Sequence, residues 1–460
     1  MPYAALSEIL AAARYDAPAE PAISGADPVV PTRYRMGAAG AASLAALGIA
    51  VAQVWEQRGG KCQRVAVDLR AAGASLRSSR YFQIDGKPVQ VWDPMSGYYP
   101  VRDGWISIHC NFPLHRAAAM RVLQSDEVRD KAEQKSAAWN GEALEDAIHA
   151  AGGCAGYVRS AEQWGAHAQA RAVARQPLIE IERIGEAPPE PLARAARPLS
   201  GVRVLDLTRV LAGPTCAKSL AEHGADVLKI TASHLADMGR IELDTGLGKL
   251  SARLDLRDEA GAQKLKALIR SGDVFSQSYR PGSLGARGFS PPALAALRPG
   301  IVYVSLSAWG TSGPWRDRRG FDSIVQSVSG MAHSHGDGGK PKLQPVSAID
   351  YVSGYLMAFG AALALSRRAR EGGSWLVRVA LARVGQWIVD RGVVADAAWR
   401  GLAEELPAGE LAPLLAELDS PLGRVRYLKP VLALSETPPY WSRPPVPLGT
   451  HPAEWPPRES

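Results

Sequence analysis

From residue 202 onward the chain alternates β-rich runs with helical stretches, and few folds accept that pattern. Residues 202–207 read as a strand, 214–223 as a helix and 225–230 as a second strand. A helix over 258–271 leads into a strand at 273–275, and a helix over 291–297 into a strand at 301–306. Connections long enough to hold a helix bring the next strand back parallel rather than as a hairpin. The pattern predicts an α/β fold whose large domain is a Rossmann-like parallel sheet with helices on both faces. At 460 residues the chain is about three typical domain lengths, so a second core is expected.

A second feature is repetition. A small-residue helix over 37–57 ends in Arg58-Gly59-Gly60 and is followed by an alternating strand at 63–69. Residues 353–382 repeat the design, with a basic stretch, Gly372-Gly373 and a strand at 377–381. An internal repeat accounts for both, although two unrelated helix–strand units would read alike. Between them a strand at 105–111 and mixed helical patterns over 114–171 predict a smaller α+β domain. The expected division is an irregular N-terminal segment 1–34, a partial repeat 35–80, the small domain 81–184, a Pro-rich linker 185–199, the large domain 200–400 and a C-terminal wrapping segment 401–460.

The net charge of +7 is spread along the chain without a Lys/Arg tract, which suits an anionic small-molecule ligand and gives no reason to expect nucleic acid. Cys62, Cys110, Cys154 and Cys216 form no C-x-x-C pair, so neither zinc nor a disulfide framework is expected and a cytoplasmic location fits. The first residues show no signal-peptide pattern, and the Ala/Gly-rich stretch 37–54 is weakly hydrophobic, so no membrane segment is expected.

The turn 208–214 is not G-x-G-x-x-G, which argues against a dinucleotide, yet Gly213-Pro214 opens a helix whose free N–H groups suit an anion. No G-x-S-x-G, H-E-x-x-H or P-loop occurs, and His333, His335 and Asp337 read as a solvated loop rather than a metal site. Loops at the carboxyl ends of strands concentrate at 278–282, 308–315, 320–322 and 348–350. Asp350 alone reads as a helix N-cap.

Four blocks carry a resemblance: VRVLDLTRVLAGPTCAKSLAEHGADVLKI, LDLRDEAGAQKLKALI, the run 273–332 with SYRPGSLGARGF and RGFDSIVQ, and AIDYVSGYLMAFGAALALSRR. In order and spacing, over about residues 199–383, they resemble the class III CoA transferases, a family that includes formyl-CoA and carnitine CoA transferases and is related to α-methylacyl-CoA racemase. Residues 97–171 resemble the family's small domain, and 35–75 the end of its large domain, so the chain reads as a permuted tandem fusion. Aligning the two Gly-Gly pairs sets Asp350 opposite Gly37, give or take one residue, which leaves one nucleophile and one active site per chain.

The resemblance implies a transferase of sulfur-containing groups that moves CoA between an acyl-CoA and a carboxylic acid. Asp350 would be its catalytic nucleophile, forming an aspartyl anhydride and then an aspartyl-CoA thioester. By the same match Arg209 and Gly213 line the acyl site, and Lys249, Arg257, Arg280 and Arg287 approach the CoA phosphates and adenine, with Tyr279 and Gly310 in the same loops. No metal and no permanently bound cofactor are implied; CoA is part of the substrate, and the family's habit is a homodimer. The departures are Leu211 in place of a Gln, Thr231-Ala232-Ser233 in place of an acidic–Arg pair with His234 nearby, and a lid reduced to Met95-Ser96-Gly97. Racemases carry His where Phe321 stands, so a transferase is favoured over a racemase-like isomerase. A catalytically weak acyl-CoA-binding homologue is the other alternative. The Trp-rich loop 308–315 hints at a large, apolar acyl group.

Overall fold

The computed structural model describes residues 1–88, 92–235, 241–337 and 339–457. An N-terminal unit runs α1 (Pro2–Ala12), β1 (Ala22–Ser24), α2 (Met36–Gln57) and β2 (Val65–Asp68). A small α+β unit follows, with antiparallel strands β3 (Gly97–Val101), β4 (Gly104–Ile108) and β5 (Ala155–Tyr157) around α3 (Pro113–Leu123), α4 (Arg129–Ser136) and α5 (Gly141–Ala150). After β6 (Glu180–Gly185) come β7 (Arg203–Leu207), α6 (Ala212–Ala221), β8 (Asp226–Thr231), β9 (Lys249–Arg253), α7 (Glu259–Arg270), β10 (Val274–Gln277), α8 (Pro291–Leu297) and β11 (Val302–Ser307). The long α9 (Ala348–Glu371), β12 (Ser374–Ala380) and α10 (Leu381–Asp390) complete that run, and β13 (Leu415–Ser420), β14 (Gly423–Leu428) and β15 (Leu432–Leu434) close the chain's ordered strands.

The large sheet has seven strands in the order β9-β8-β7-β10-β11-β12-β6, all parallel except β6, which runs against β12. Its central strands are buried on both faces: β10 is buried throughout, as a strand covered by helices on both sides must be. The order reverses between β7 and β10. Ligands of open α/β sheets bind in the crevice outside such a switch point, so the turns after Leu207 and Gln277 are the places to look.

Helices α2 and α9 form the centre of the main core, and both are Ala- and Gly-rich because they are enclosed on every side. Each is long and apolar enough to cross a bilayer, but 94% and 100% of their apolar windows are buried inside the protein. The two helices sit in matching frames. Val67 of β2 pairs with Ile23 of the parallel β1, and Ala66 with Ala433 of the antiparallel β15. Val379 of β12 pairs in the same way with Leu306 of β11, and Arg378 with Glu180 of β6. A Cβ on Gly48 would meet Val65 Cγ1 at 2.5 Å, and one on Gly360 would meet Val377 Cγ1 at 2.5 Å, so each helix lies on its strand at a glycine. These registers set Ala38, rather than Gly37, opposite Asp350.

Some expectations change. Residues 1–34 are not irregular: α1 starts on Pro2, whose fixed φ suits a first turn, and it buries Ala5, Leu6 and Ile9 against the core. The strand read at 63–69 ends at Asp68, whose carboxylate accepts from the Arg70 and Ala71 N–H groups and turns the chain into a helix. Strand β9 was not anticipated, because its alternation is short and follows a Gly-rich turn. The tail does more than wrap: β14 pairs with residues 83–84, so the hairpin β13–β14 joins a four-stranded sheet with the start of the small unit. Nor do His333 and His335 sit in a solvated loop. They end a short helix, with His335 buried beside Trp399 and Asp337 held by the Arg400 fork.

Candidate active site

A cavity of about 820 Å³ opens at the carboxyl ends of β7, β8, β10 and β11. The large sheet supplies the turn 209–212, the loop 278–281 and Phe321, α9 supplies Asp350, and the small unit supplies Phe112 and His115. The turn after β7 carries Val210 at φ +70°, a conformation that a β-branched residue rarely adopts, and α6 then starts at Ala212, with Leu211 at its N-cap position giving no side-chain cap. A strained turn and a helix start without a side-chain cap therefore line the cavity where β7 gives way to α6.

Asp350 is the third residue of α9 and is 8% exposed. It does not cap its own helix. The capping carboxylate comes from Asp322, which accepts the N–H of Ile349 and, at 3.1 Å, that of Asp350, while Gln326 Nε2 donates to its other oxygen. Among the described residues no cation lies within ion-pair distance of Asp350. Burial and the negative charge of Asp322 push the Asp350 carboxyl well above the usual carboxylate range, and burial raises Asp322 to about 6. The N-terminal unit has the same capping device with Ala38, not an acidic residue, at the place of Asp350. Asp27 accepts from the Gly37 and Ala38 N–H groups at 2.9 Å each, and a Cβ on Gly37 would meet Asp27 Oδ1 at 2.7 Å.

Of the residues implied by resemblance, Asp350, Arg209, Tyr279 and Arg280 line the cavity. Gly310, at φ +83°, lines an adjoining cavity of about 330 Å³ that shares Tyr279 and Arg280 with the first. The others lie elsewhere. Gly213 is buried within α6, where a Cβ would meet Thr208 Cβ at 2.3 Å, so it serves close packing of helix on strand end. Lys249 is 3% exposed and turned into the core, with Nζ at 2.8 Å from both Asp206 Oδ2 and the Pro214 carbonyl. Arg257 is exposed and forks onto Asp255, whose other contact is His234 of the cavity at 3.3 Å. Arg287 donates to the Leu256 carbonyl. The indoles of the Trp-rich loop do not line the cavity either, although Ala308 at its start does; Trp309 and Trp315 pack with Trp164 of the small unit.

Several cavity residues were not singled out from sequence. Arg253 follows from the unrecognised strand β9, and Arg319 stands just ahead of the Gly320-Phe321-Asp322 block. Phe112 and His115 belong to the small unit, and only the fold brings them over the sheet. Phe321 stacks on His109 at 3.9 Å and 10°, and lies within 5.9 Å of both Phe112 and His115, so an aromatic wall flanks Asp350. Burial, and then the positive charge of Arg319, lower His115 to about 4, so its ring is uncharged at neutral pH. Among the described residues no group of His, Cys, Asp and Glu converges as a metal site.

A model of the CoA-transferase family III matches residues 22–189 and 199–413. The acetyl-coenzyme A transferase nodX of Hypoxylon pulicicidum is 37% identical over 200 residues, covering 42% of this chain and 34% of that protein. An acyl-CoA transferase of Gibberella moniliformis is 26% identical over 397 residues, covering 76% of this chain and 69% of its own. Among solved structures, Rv3272 of Mycobacterium tuberculosis is 33% identical over 41% of this chain and 56% of that one, with a TM-score of 0.39. The matched stretch spans about a third to a half of the length of the first curated relatives. With both segments matched by one family model, the chain belongs to the CoA-transferase family III.

Proposed function

We propose that the 820 Å³ cavity receives an acyl-CoA and that Asp350 exchanges its CoA onto a second carboxylic acid. The observation that carries this reading is Asp350 itself: a cavity carboxylate freed from capping by Asp322 and held without a cation. A carboxylate Oδ attacks the thioester carbonyl carbon, the C–S bond breaks, and CoA leaves as its thiolate, giving an aspartyl–acyl mixed anhydride. The thiolate then attacks the Asp350 carbonyl and expels the donor acid as a carboxylate, leaving an aspartyl-CoA thioester. The acceptor carboxylate attacks that carbonyl and releases the thiolate again. Attack of the thiolate on the acceptor's acyl carbon forms the new acyl-CoA and regenerates the Asp350 carboxylate. No net proton is taken up, so the site needs an ionised carboxylate, oxyanion donors and exclusion of water more than a general base. The uncapped start of α6 offers the donors, and the aromatic wall excludes water.

The raised Asp350 sets a pH signature. Only the carboxylate attacks, so kcat/KM falls with acidification from a pH well above that of an ordinary carboxylate. Asp322→Asn removes the negative neighbour while leaving an oxygen to accept from the helix, and the acidic limb is expected to move to lower pH. An acidic limb that stays in place in the variant counts against the pairing.

Arg280 makes no ion pair among the described residues and faces both cavities. Arg280→Ala is expected to weaken acyl-CoA binding by about tenfold, with a shallower salt dependence, because one charge-assisted contact to phosphate is lost. Calorimetric titration with acyl-CoA at two salt concentrations checks it. The reading as a whole is tested by mixing an acyl-CoA with an isotopically labelled acid. Label appearing in a new acyl-CoA supports transfer, whereas deuterium entering Cα in heavy water without transfer supports the isomerase alternative.

A further inference from the structure

Asp350 lies on the first turn of α9, and whatever holds that turn decides where its carboxylate points. On one side Asp322 accepts the Ile349 and Asp350 N–H groups. On another, Ser347, the residue ahead of α9, donates its N–H to the Leu76 carbonyl at 3.0 Å. The residue after the nucleophile makes a third attachment. Tyr351 is 2% exposed; its hydroxyl accepts the Ser79 N–H at 3.0 Å and lies 3.2 Å from the Ser78 hydroxyl. Ser78 donates in turn to Asp244 Oδ2 at 2.7 Å, and Lys218 Nζ of α6 reaches Asp244 Oδ1 at 2.9 Å. These polar groups are all buried, and they join the short helix Ser78–Tyr81, the segment Ile241–Asp244, α6 and α9. An apolar junction would hold the same pieces together without desolvating a charge, whereas a buried, partnered network adds a single allowed geometry.

Helix geometry says what this network fixes. Gly354 packs on the start of α6, where a Cβ would meet the Ala212 carbonyl oxygen at 2.6 Å. Asp350 stands four residues before Gly354 on the same face of α9, and so is turned toward the cavity-lining stretch 209–212. Tyr351 is one step of about 100° further round the helix, so an anchor on its hydroxyl stops the first turn from rotating about its axis. A rotation of about 20° would carry a carboxyl lying about 5 Å from the axis by about 2 Å. Repulsion between the ionised Asp350 and Asp322 gives such a rotation a cause. The matching helix α2, with Ala38 at the place of the nucleophile, has Ala39 at the place of Tyr351.

Resting on the CoA-transfer reading, we propose that Tyr351 is a positioning residue for that exchange: its hydroxyl, seated on Ser79 and Ser78, fixes the rotation of the first turn of α9 and so aims the Asp350 carboxylate at the thioester carbon. Tyr351 lies behind the cavity wall rather than on it. Lys218, Asp244 and Ser78 support Tyr351, and Tyr351 acts on the rate through Asp350.

The test compares full-length Tyr351→Phe with Tyr355→Phe. Tyr355 stands one turn further along α9 and is also buried, with its hydroxyl on Ser75, so removing that hydroxyl is a structural loss of the same kind. Each protein, in excess, is mixed with acetyl-, hexanoyl- or succinyl-CoA and quenched rapidly, and the loss of acyl-CoA is followed over a single turnover. Tyr351→Phe is expected to slow that step by about tenfold or more, the effect of a displaced reacting group, with half-saturation within about two-fold of the parent. Tyr355→Phe should melt lower by a similar margin yet keep the parent's rate within about two-fold. Ser78→Ala, which leaves the Ser79 N–H in place, should slow the step less than Tyr351→Phe does. An unchanged rate in Tyr351→Phe overturns the proposal, as does weakened half-saturation without slowing. Equal slowing in Tyr355→Phe also overturns it, and assigns both hydroxyls to stability. Should Tyr351→Phe not fold, Ser78→Ala carries the test, and a parent-like rate there overturns the proposal. A parent that consumes none of the three acyl-CoAs is instead a failure of the CoA-transfer reading, seen before any variant is measured.

Discussion

On the proposed mechanism, Asp350→Ala is expected to abolish CoA exchange, with a loss of about 10⁴-fold or more, the scale seen when a covalent nucleophile is removed. Among the described residues Asp350 is the only carboxylate that lines the cavity. Asp322 is turned to the helix N-terminus and held by two backbone N–H groups and Gln326, and the N-terminal unit has Ala38 at the matching place. The loss is chemical rather than structural, and stability distinguishes the two. A carboxyl raised in the folded state favours folding below its unfolded pKa and costs stability once pH has passed its folded value. At a pH above that folded value the parent carries an ionised, buried Asp350 beside Asp322 with no cation near it among the described residues, and Asp350→Asn is expected there to unfold at a higher temperature than the parent. The gain, on the order of 0.5–2 kcal/mol, should shrink as pH falls toward 4, where both proteins are uncharged at this position. An inactive variant that also melts lower at a pH above the folded value would leave the nucleophile unproved.

Lys249 gives the second large effect, and it is of the opposite kind. Asp206 is wholly buried; burial alone would raise it, but Lys249 and then Lys229 hold it below the usual range. Lys249→Met leaves that charge short of its main partner in the centre of the sheet and is expected to cost roughly 3–5 kcal/mol of stability. Protein that still folds should bind acyl-CoA within about two-fold of the parent, because a residue outside the cavity acts independently of those in it. Denaturant midpoints with a binding titration on the folded fraction check both halves. A selective loss of affinity at unchanged stability would return Lys249 to the ligand.

The parallel sheet was legible because strand and helix periods alternate over 202–306 with turns between them. Asp350 was legible only through resemblance, since a carboxylate at the start of a helix reads locally as a cap. What changes that reading is Asp322, 28 positions earlier, which takes the capping duty through a contact that no local pattern encodes. Lys249 fails for a similar reason: a Lys near a Gly-rich turn reads as an exposed cation until β9 pairs with β8 and turns it inward. Arg319, Phe112 and His115 were missed because they come from separate units that meet only over the folded sheet. The likeness of the two helix–strand units was visible in the two Gly-Gly pairs, which set Asp350 opposite Gly37 to within one residue, a margin that includes Ala38. Strand registers fix the offset, because a one-residue slip would turn Val67 and Val379 to opposite faces.

The central claim is that Asp350 becomes covalently acylated. It is tested most directly by incubating the protein with an acyl-CoA, quenching with hydroxylamine, and mapping the peptide over residues 348–368 by mass spectrometry. Conversion of the Asp350 side chain to its hydroxamate, dependent on acyl-CoA and absent in Asp350→Ala, is the result expected. An unmodified Asp350 in protein that turns acyl-CoA over would contradict the account and move the chemistry to another group in the cavity.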